Sequence, residues 1–156
     1  MKIRIVAVGQ RQPAWADQAV ADYLDRFPSD FAVTLREVRP EPRAGGAPVE
    51  RLLAAEAQRL RAAVPGGHLM IALDERGKDW TSAQLAQSLG QWRDAAESVS
   101  FIIGGPDGLA ADIKRDARVL LRLSSMTLPH ALARVLLAEQ LYRAWSLLAG
   151  HPYHRA

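Results

Sequence analysis

Two stretches of the sequence hold residue types able to bind or react. The first is Val99-Ser100-Phe101-Ile102-Ile103-Gly104-Gly105-Pro106-Asp107-Gly108, an apolar run that ends in three glycines and a proline. Such an ending makes a plain turn, or it lets a ligand approach bare main chain. The second is the tail, Gly150-His151-Pro152-Tyr153-His154-Arg155-Ala156. Tyr153 offers an aromatic face, His154 a titratable imidazole and Arg155 a fixed cation. An unpaired base can stack on such a ring, and an arginine can hold its phosphate or a carbonyl. Fraying without function is the simpler reading of any chain end. From these residues alone, both readings stay open.

Other chemistries lose ground on the same inspection. The chain has no cysteine, which removes thiolate metal sites, a cysteine nucleophile and a disulfide framework. The first strand runs into Gly9-Gln10-Arg11-Gln12-Pro13 with a single glycine, so the dinucleotide fingerprint is absent. No Gly-x-x-x-x-Gly-Lys-Ser/Thr loop and no Gly-x-Ser-x-Gly elbow occur. His151 and His154 lie close together without further ligands, so no metal is expected.

The elements that must position these residues are visible in the periodicity. Strands are predicted over residues 2–9, 31–38, 68–74, 99–103 and 118–123. Helices are predicted from Pro13 to about residue 27, and over 49–64, 81–95, 109–115 and 130–148. Residues 39–48 hold three prolines and two glycines and are expected to form a mobile loop. Strands alternating with helices predict a single α/β domain, a mostly parallel sheet with helices on both faces. Ligands of such sheets bind beyond the carboxyl ends of the strands. Three of those ends are unusual here: Leu73-Asp74-Glu75-Arg76-Gly77, Gly104-Gly105-Pro106-Asp107-Gly108 and Ser124-Ser125-Met126-Thr127-Leu128-Pro129. If the three strands are neighbours, their loops make one pocket. Leu73, Met126 and Leu128 would wall it for something flat, such as an adenine.

Composition sets the class of protein. With 156 residues, 24% charged and 49% hydrophobic, the chain can build one full core. A net charge of +3 permits a polyanionic partner without requiring one. The start, Met1-Lys2-Ile3-Arg4, lacks a secretory pattern, and the apolar segment at 128–149 is interrupted by His130, Arg134, Glu139 and Arg143. A soluble, cytoplasmic protein without membrane association is expected.

Three segments taken in order resemble one family. They are Phe101-Ile102-Ile103-Gly104-Gly105-Pro106-Asp107-Gly108, Leu123-Ser124-Ser125-Met126-Thr127-Leu128-Pro129-His130, and Leu141-Tyr142-Arg143-Ala144-Trp145 with His151-Pro152-Tyr153-His154-Arg155. Together they resemble the RlmH-type methyltransferases of the SPOUT superfamily, over nearly the whole chain. That family methylates N3 of a pseudouridine in 23S rRNA, with S-adenosyl-L-methionine as cofactor. Asp107 departs from the glutamate expected there, and residues 39–48 carry fewer basic side chains than expected.

The resemblance implies a trefoil knot in the C-terminal part, a homodimer, and a substrate presented by the ribosome or its large subunit. It places the cofactor on Leu73, Gly105 and the loop Ser124, Ser125, Met126, Thr127, Leu128 and Pro129, with Asp74 and Gly104 in second rank. It implies that the glycines let the cofactor lie against bare backbone. It assigns Tyr153, His154 and Arg155 to the target nucleoside, with Arg143 and His130 as weaker candidates. Leu132, Leu136, Leu137, Leu141, Trp145 and Leu148 give the last helix an apolar face for the sheet and for a second subunit. Alternatives are a SPOUT methyltransferase for another RNA base, a non-catalytic RNA-binding module, and a flavodoxin-like enzyme of a small nucleotide or flavin.

Overall fold

Residues Lys2–Val8 form β1, and both its faces are buried: Ile3, Ile5 and Ala7 belong to one apolar cluster, Val6 and Val8 to another. That division follows from the two-residue period of a strand. The computed structural model describes residues 1–155. After β1 come α1 (Ala14–Leu24), β2 (Ala32–Val38), α2 (Val49–Ala63), β3 (Leu69–Asp79), α3 (Ser82–Asp94) and β4 (Val99–Ile103). The chain then makes α4 (Ala111–Asp116), β5 (Val119–Arg122) and α5 (His130–Ala149). Short 3-10 turns stand at Ser29–Phe31 and Pro152–Arg155.

The strands form one sheet in the order β2-β1-β4-β3-β5, and every pairing is parallel. One cluster joins Phe101 and Ile103 of β4 to Leu89 of α3 and Leu137 and Leu141 of α5. The other joins Ile102 of β4 to Ala57 and Leu60 of α2 and Ile113 of α4. Helices therefore cover both faces, as the alternation predicts, and β4 lies at the centre with all five residues buried. Parallel central strands read as unbroken apolar runs for this reason. No helix among the described residues is long and apolar enough to cross a membrane.

Several boundaries differ from the sequence prediction, each for a local reason. Pro13 is the N-cap of α1 rather than its first residue. Thr81 caps α3, accepting from the Gln84 amide at 3.1 Å while its own N–H donates to the Gln84 side chain at 2.8 Å. Leu109 is buried before α4 begins. β3 does not stop at Asp74. Leu73 and Lys78 both pair with Leu121, so residues 74–77 bulge out and the strand resumes. Gly77 is needed there, because a Cβ on it would lie 2.7 Å from the backbone carbons of Leu120 and Leu121. Loop 39–48, expected to be mobile, is anchored to α2 by Arg43–Glu56 and Arg59–Glu41 ion pairs, both 2.5 Å.

From β5 at one edge, the chain returns across the carboxyl ends of β3 and β4 to start α5 beside β1. Arg134 of α5 donates to the carbonyl of Gly9, just past β1, at 2.7 Å. At 20 residues, α5 is about 30 Å long, and it packs against α1 and α3.

Candidate active site

The central strand ends in a turn that explains its glycines. The Gly108 N–H donates to the Gly105 carbonyl at 3.0 Å, with Pro106 at the position whose φ a turn prefers fixed. Gly108 has φ +80°, open to glycine at little cost. Gly104 packs so tightly on the return of the turn that a Cβ would meet the Gly108 carbonyl oxygen at 2.4 Å. A Cβ on Gly105 would face Val8 Cγ1 at 3.2 Å and Glu56 Oε1 at 3.6 Å. The missing side chains therefore serve the turn and its seat on β1 and α2. Gly104, Gly105 and Gly108 also line the cavity beyond the turn.

The turn is clamped from outside. Arg43 donates to Asp107 at 3.2 Å and to Glu56 at 2.5 Å. Glu56 is 1% exposed and also accepts from the Glu41 main chain at 3.0 Å. The hydrogen bond to Glu56, with help from Asp107, raises the Arg43 pKa above its ordinary value. Asp107, the shortened acid, thus still reaches a partner.

Beyond the turn lies a cavity of about 840 Å³. The three unusual strand ends meet there: Leu73, Asp74 and Glu75 from the β3 bulge, residues 104–108 from the β4 turn, and Ser124, Met126, Thr127 and Leu128 from the loop after β5. Gly9, Gln12, Pro40 and His130 close the side nearest β1. Ser125 and Pro129 do not line it. The loop is shaped by Ser124, whose Oγ accepts from the Met126 amide at 2.9 Å, and this leaves Met126 77% exposed. At the mouth, Lys114 stands 3.4 Å from Asp74, and Arg122 forks onto Asp79 with one bond of 2.7 Å. Asp79 is held below the ordinary carboxylate range by that guanidinium. The volume falls within the range of small-molecule sites, with apolar walls from Leu73, Leu121 and Leu128 and exposed main chain in irregular loops. The donor set fits S-adenosylmethionine: aliphatic walls for an adenine face, and main-chain amides and carbonyls for its edge.

The tail residues are elsewhere in the same chain. Tyr153 packs edge-on against Tyr142, centroids 4.7 Å apart, and its hydroxyl oxygen lies 3.1 Å from the Tyr23 hydroxyl and 3.2 Å from the Glu139 carboxylate, so its single proton serves one of the two at a time. Burial first, and then these neighbours, push its phenol well above the ordinary range. Arg143 holds Glu139 at 2.6 Å and lies over the Tyr153 ring, 5.2 Å from its centroid. His154 Nδ1 is 3.2 Å from Ser146 Oγ. Since the single Ser146 hydroxyl proton goes to the Arg143 carbonyl at 2.7 Å, His154 is the donor, and its lone pair lies on Nε2. Arg155 is exposed in the final 3-10 turn. None of the four lines the cavity. They gather at the far end of α5, roughly 20 Å along the helix from His130.

A family model described as Predicted SPOUT methyltransferase matches residues 1–154. The chain belongs to the SPOUT methyltransferase family. Among its relatives, the Ribosomal RNA large subunit methyltransferase H of Burkholderia cenocepacia (strain HI2424) is 54% identical over 156 residues, covering 100% of both chains. That of Bordetella pertussis (strain Tohama I) is equally identical over the same span. The fold is shared with the crystal structure of TrmJ from Z. mobilis ZM4 (TM-score 0.55, 21% identity, 90% of this chain and 69% of that one). A putative methylase family protein from Neisseria gonorrhoeae is similar too (TM-score 0.55, 16% identity, 96% and 93%).

Four residues that brace the segments around this cavity without lining it escape sequence reasoning: Arg43, Glu56, Glu37 and Arg134. Glu56 and Arg134 are each 1% exposed. The signal for Arg134 is its place among Ala131, Ala138 and Leu141, a buried stripe at helical spacing into which a charge does not belong without partners.

Proposed function

We propose that the protein is an S-adenosylmethionine-dependent methyltransferase acting on N3 of a pseudouridine in 23S rRNA, presented by the ribosome or its large subunit in the cytoplasm. The observation that carries this reading is the cavity built by the ends of β3, β4 and β5, in a chain 54% identical from end to end to proteins named for ribosomal RNA methylation. S-adenosylmethionine supplies an electrophilic methyl group on a sulfonium. Leu73, the Gly104-Gly105 turn and residues 124–128 would hold that cofactor, a task mostly of positioning.

The separation of cavity and tail supports a homodimer in which each tail serves the partner's cavity. On α5, Leu132 and Leu147 stay 37% exposed and, with half-buried Leu136 and Arg143, fall at spacings of four, seven and four residues on one side. Trp15 on the neighbouring α1 is 52% exposed. A second copy on this face buries them. Tyr153 is raised too far to act as a base near neutrality, so its role is to position Arg143 and the target base. His154, with its lone pair on Nε2, is the tail residue able to accept a proton, and Arg155 offers charge to the phosphate or the developing anion. The knotted path of the C-terminal part belongs to this reading. α5 begins beside β1 after crossing the ends of β3 and β4, which a threaded connection requires.

Calorimetric titration with S-adenosylmethionine tests the cofactor assignment. Saturable binding by the wild type and loss on Leu73→Arg, which fills the cavity with a charge, is the expected result. A folded protein that binds no cofactor at any concentration contradicts it.

A further inference from the structure

We infer that Arg134 is a positioning residue of the cofactor cavity, fixing His130 in one tautomer and joining the Gly104 turn, the end of β1 and the start of α5 into one floor. The inference rests on the reading of the cavity as the S-adenosylmethionine site. Arg134 is the largest fully buried side chain among the described residues. Its guanidinium makes four hydrogen bonds, and all three nitrogens take part. Nε donates to His130 Nε2 at 2.8 Å, Nη1 to Glu37 at 2.5 Å, and Nη2 to the carbonyls of Gly9 at 2.7 Å and Val8 at 3.4 Å. These partners stand at three elements: Val8 and Gly9 at the end of β1, Glu37 next to the last residue of β2, and His130 at the amino terminus of α5.

A guanidinium has donors and no acceptor, so His130 Nε2 must present its lone pair. The ring proton then sits on Nδ1; the backbone of Gly104 lies close enough to the ring to favour its protonated form. The tautomer follows from the chemistry of Arg134. Burial first, and then the adjacent cation, lower the His130 pKa below the ordinary imidazole value. An arginine serving only to cap strands would need the Val8 and Gly9 carbonyls and nothing more. The bond to His130 reaches the cavity, which His130 lines together with Gly9 and Gly104. Gly9 fits this arrangement as well. With φ +116°, it turns its carbonyl to the arginine, and a Cβ there would stand 3.3 Å from Nη2.

The test uses the intact protein with ring-¹⁵N-labelled histidine and titration with S-adenosylmethionine. In the wild type without ligand, His130 should appear as a single tautomer protonated on Nδ1. In Arg134→Met, the tautomers should mix and the cofactor should bind at least about tenfold more weakly, the equivalent of about 1.4 kcal/mol. If Arg134→Met fails to fold, Arg134→Lys decides. Its ammonium keeps a cation for Glu37 but lacks the fork that reaches His130 and the Gly9 carbonyl together, so the tautomers should again mix and affinity should fall about tenfold. A mixed tautomer in the wild type overturns the inference, as does an Arg134→Met or Arg134→Lys variant that keeps one tautomer or binds normally. A wild type that binds no cofactor sinks the cofactor reading instead, while its ligand-free tautomer still judges the hold of Arg134 on His130.

Discussion

A methyl group on Gly104 would lie 2.4 Å from the Gly108 carbonyl oxygen, 2.6 Å from its carbon and 3.0 Å from Leu109 Cδ2. Two of the three obstacles are main chain, so no rotamer change relieves them. The turn must open by about 1 Å to reach ordinary contact, at a cost near the upper end of the roughly 1–3 kcal/mol typical of overpacking. For a domain of this size that corresponds to a fall in Tm of about 6–10 °C. The same opening pulls residues 105–107 from Val8, Glu56 and Arg43, so S-adenosylmethionine binding should be lost with the turn. Gly108→Ala is the matched control. It has φ +80° and nothing within 4 Å, so it costs only backbone strain of about 1 kcal/mol, or about 2–4 °C. Calorimetry gives both numbers for each variant. A Gly104→Ala protein that melts as high as Gly108→Ala and keeps its cofactor affinity would refute the reasoning.

Other consequences can be checked as directly. Mixing a cavity variant, Leu73→Arg, with a tail variant, Arg155→Ala, should restore methylation to about half the wild-type value per mixed dimer if tails act across the subunit interface; mixed dimers as inactive as either parent would exclude that. Met126→Ser should leave Tm within about 1 °C of wild type, since the side chain is 77% exposed, yet weaken the cofactor measurably if the 124–128 loop covers it. His68 and His130 are both held below the ordinary imidazole value, chiefly by burial. The unfolded chain therefore takes up protons first as pH falls, so stability is complete above about pH 6.5 and declines below it. Tm should drop between pH 7.5 and 5.5, and His68→Asn, which keeps a polar partner for Ser100, should flatten part of that slope. A flat Tm across this interval in the wild type would count against the burial of both rings.

Much of this architecture was legible in the residues, and the exceptions are instructive. Val99–Ile103 and the start of α5 at His130 were predicted at their observed limits, because a Gly-Gly-Pro turn and a Pro-His cap interrupt strong apolar periodicity. The three strand ends could be proposed as one pocket because parallel sheets place all carboxyl ends on one side, and β4-β3-β5 are indeed neighbours. The β3 bulge was hidden, since its cause is a backbone approach to Leu120 and Leu121 that only the paired strand reveals. Glu56 and Arg134 sit on helices where charges normally face water. Their partners, Arg43, Glu37 and the Val8 and Gly9 carbonyls, come from distant segments that local spacing does not connect. The separation of the tail from the cavity depends on the length and direction of α5, which is likewise a tertiary fact.

The most direct trial of the account is methyl transfer from isotopically labelled S-adenosylmethionine to ribosomes that lack the modification. The account predicts stoichiometric label in 23S rRNA of the large subunit or whole ribosome, located at N3 of a pseudouridine. Absence of label from ribosomes, subunits and free rRNA, with a folded dimer that binds the cofactor, would contradict it.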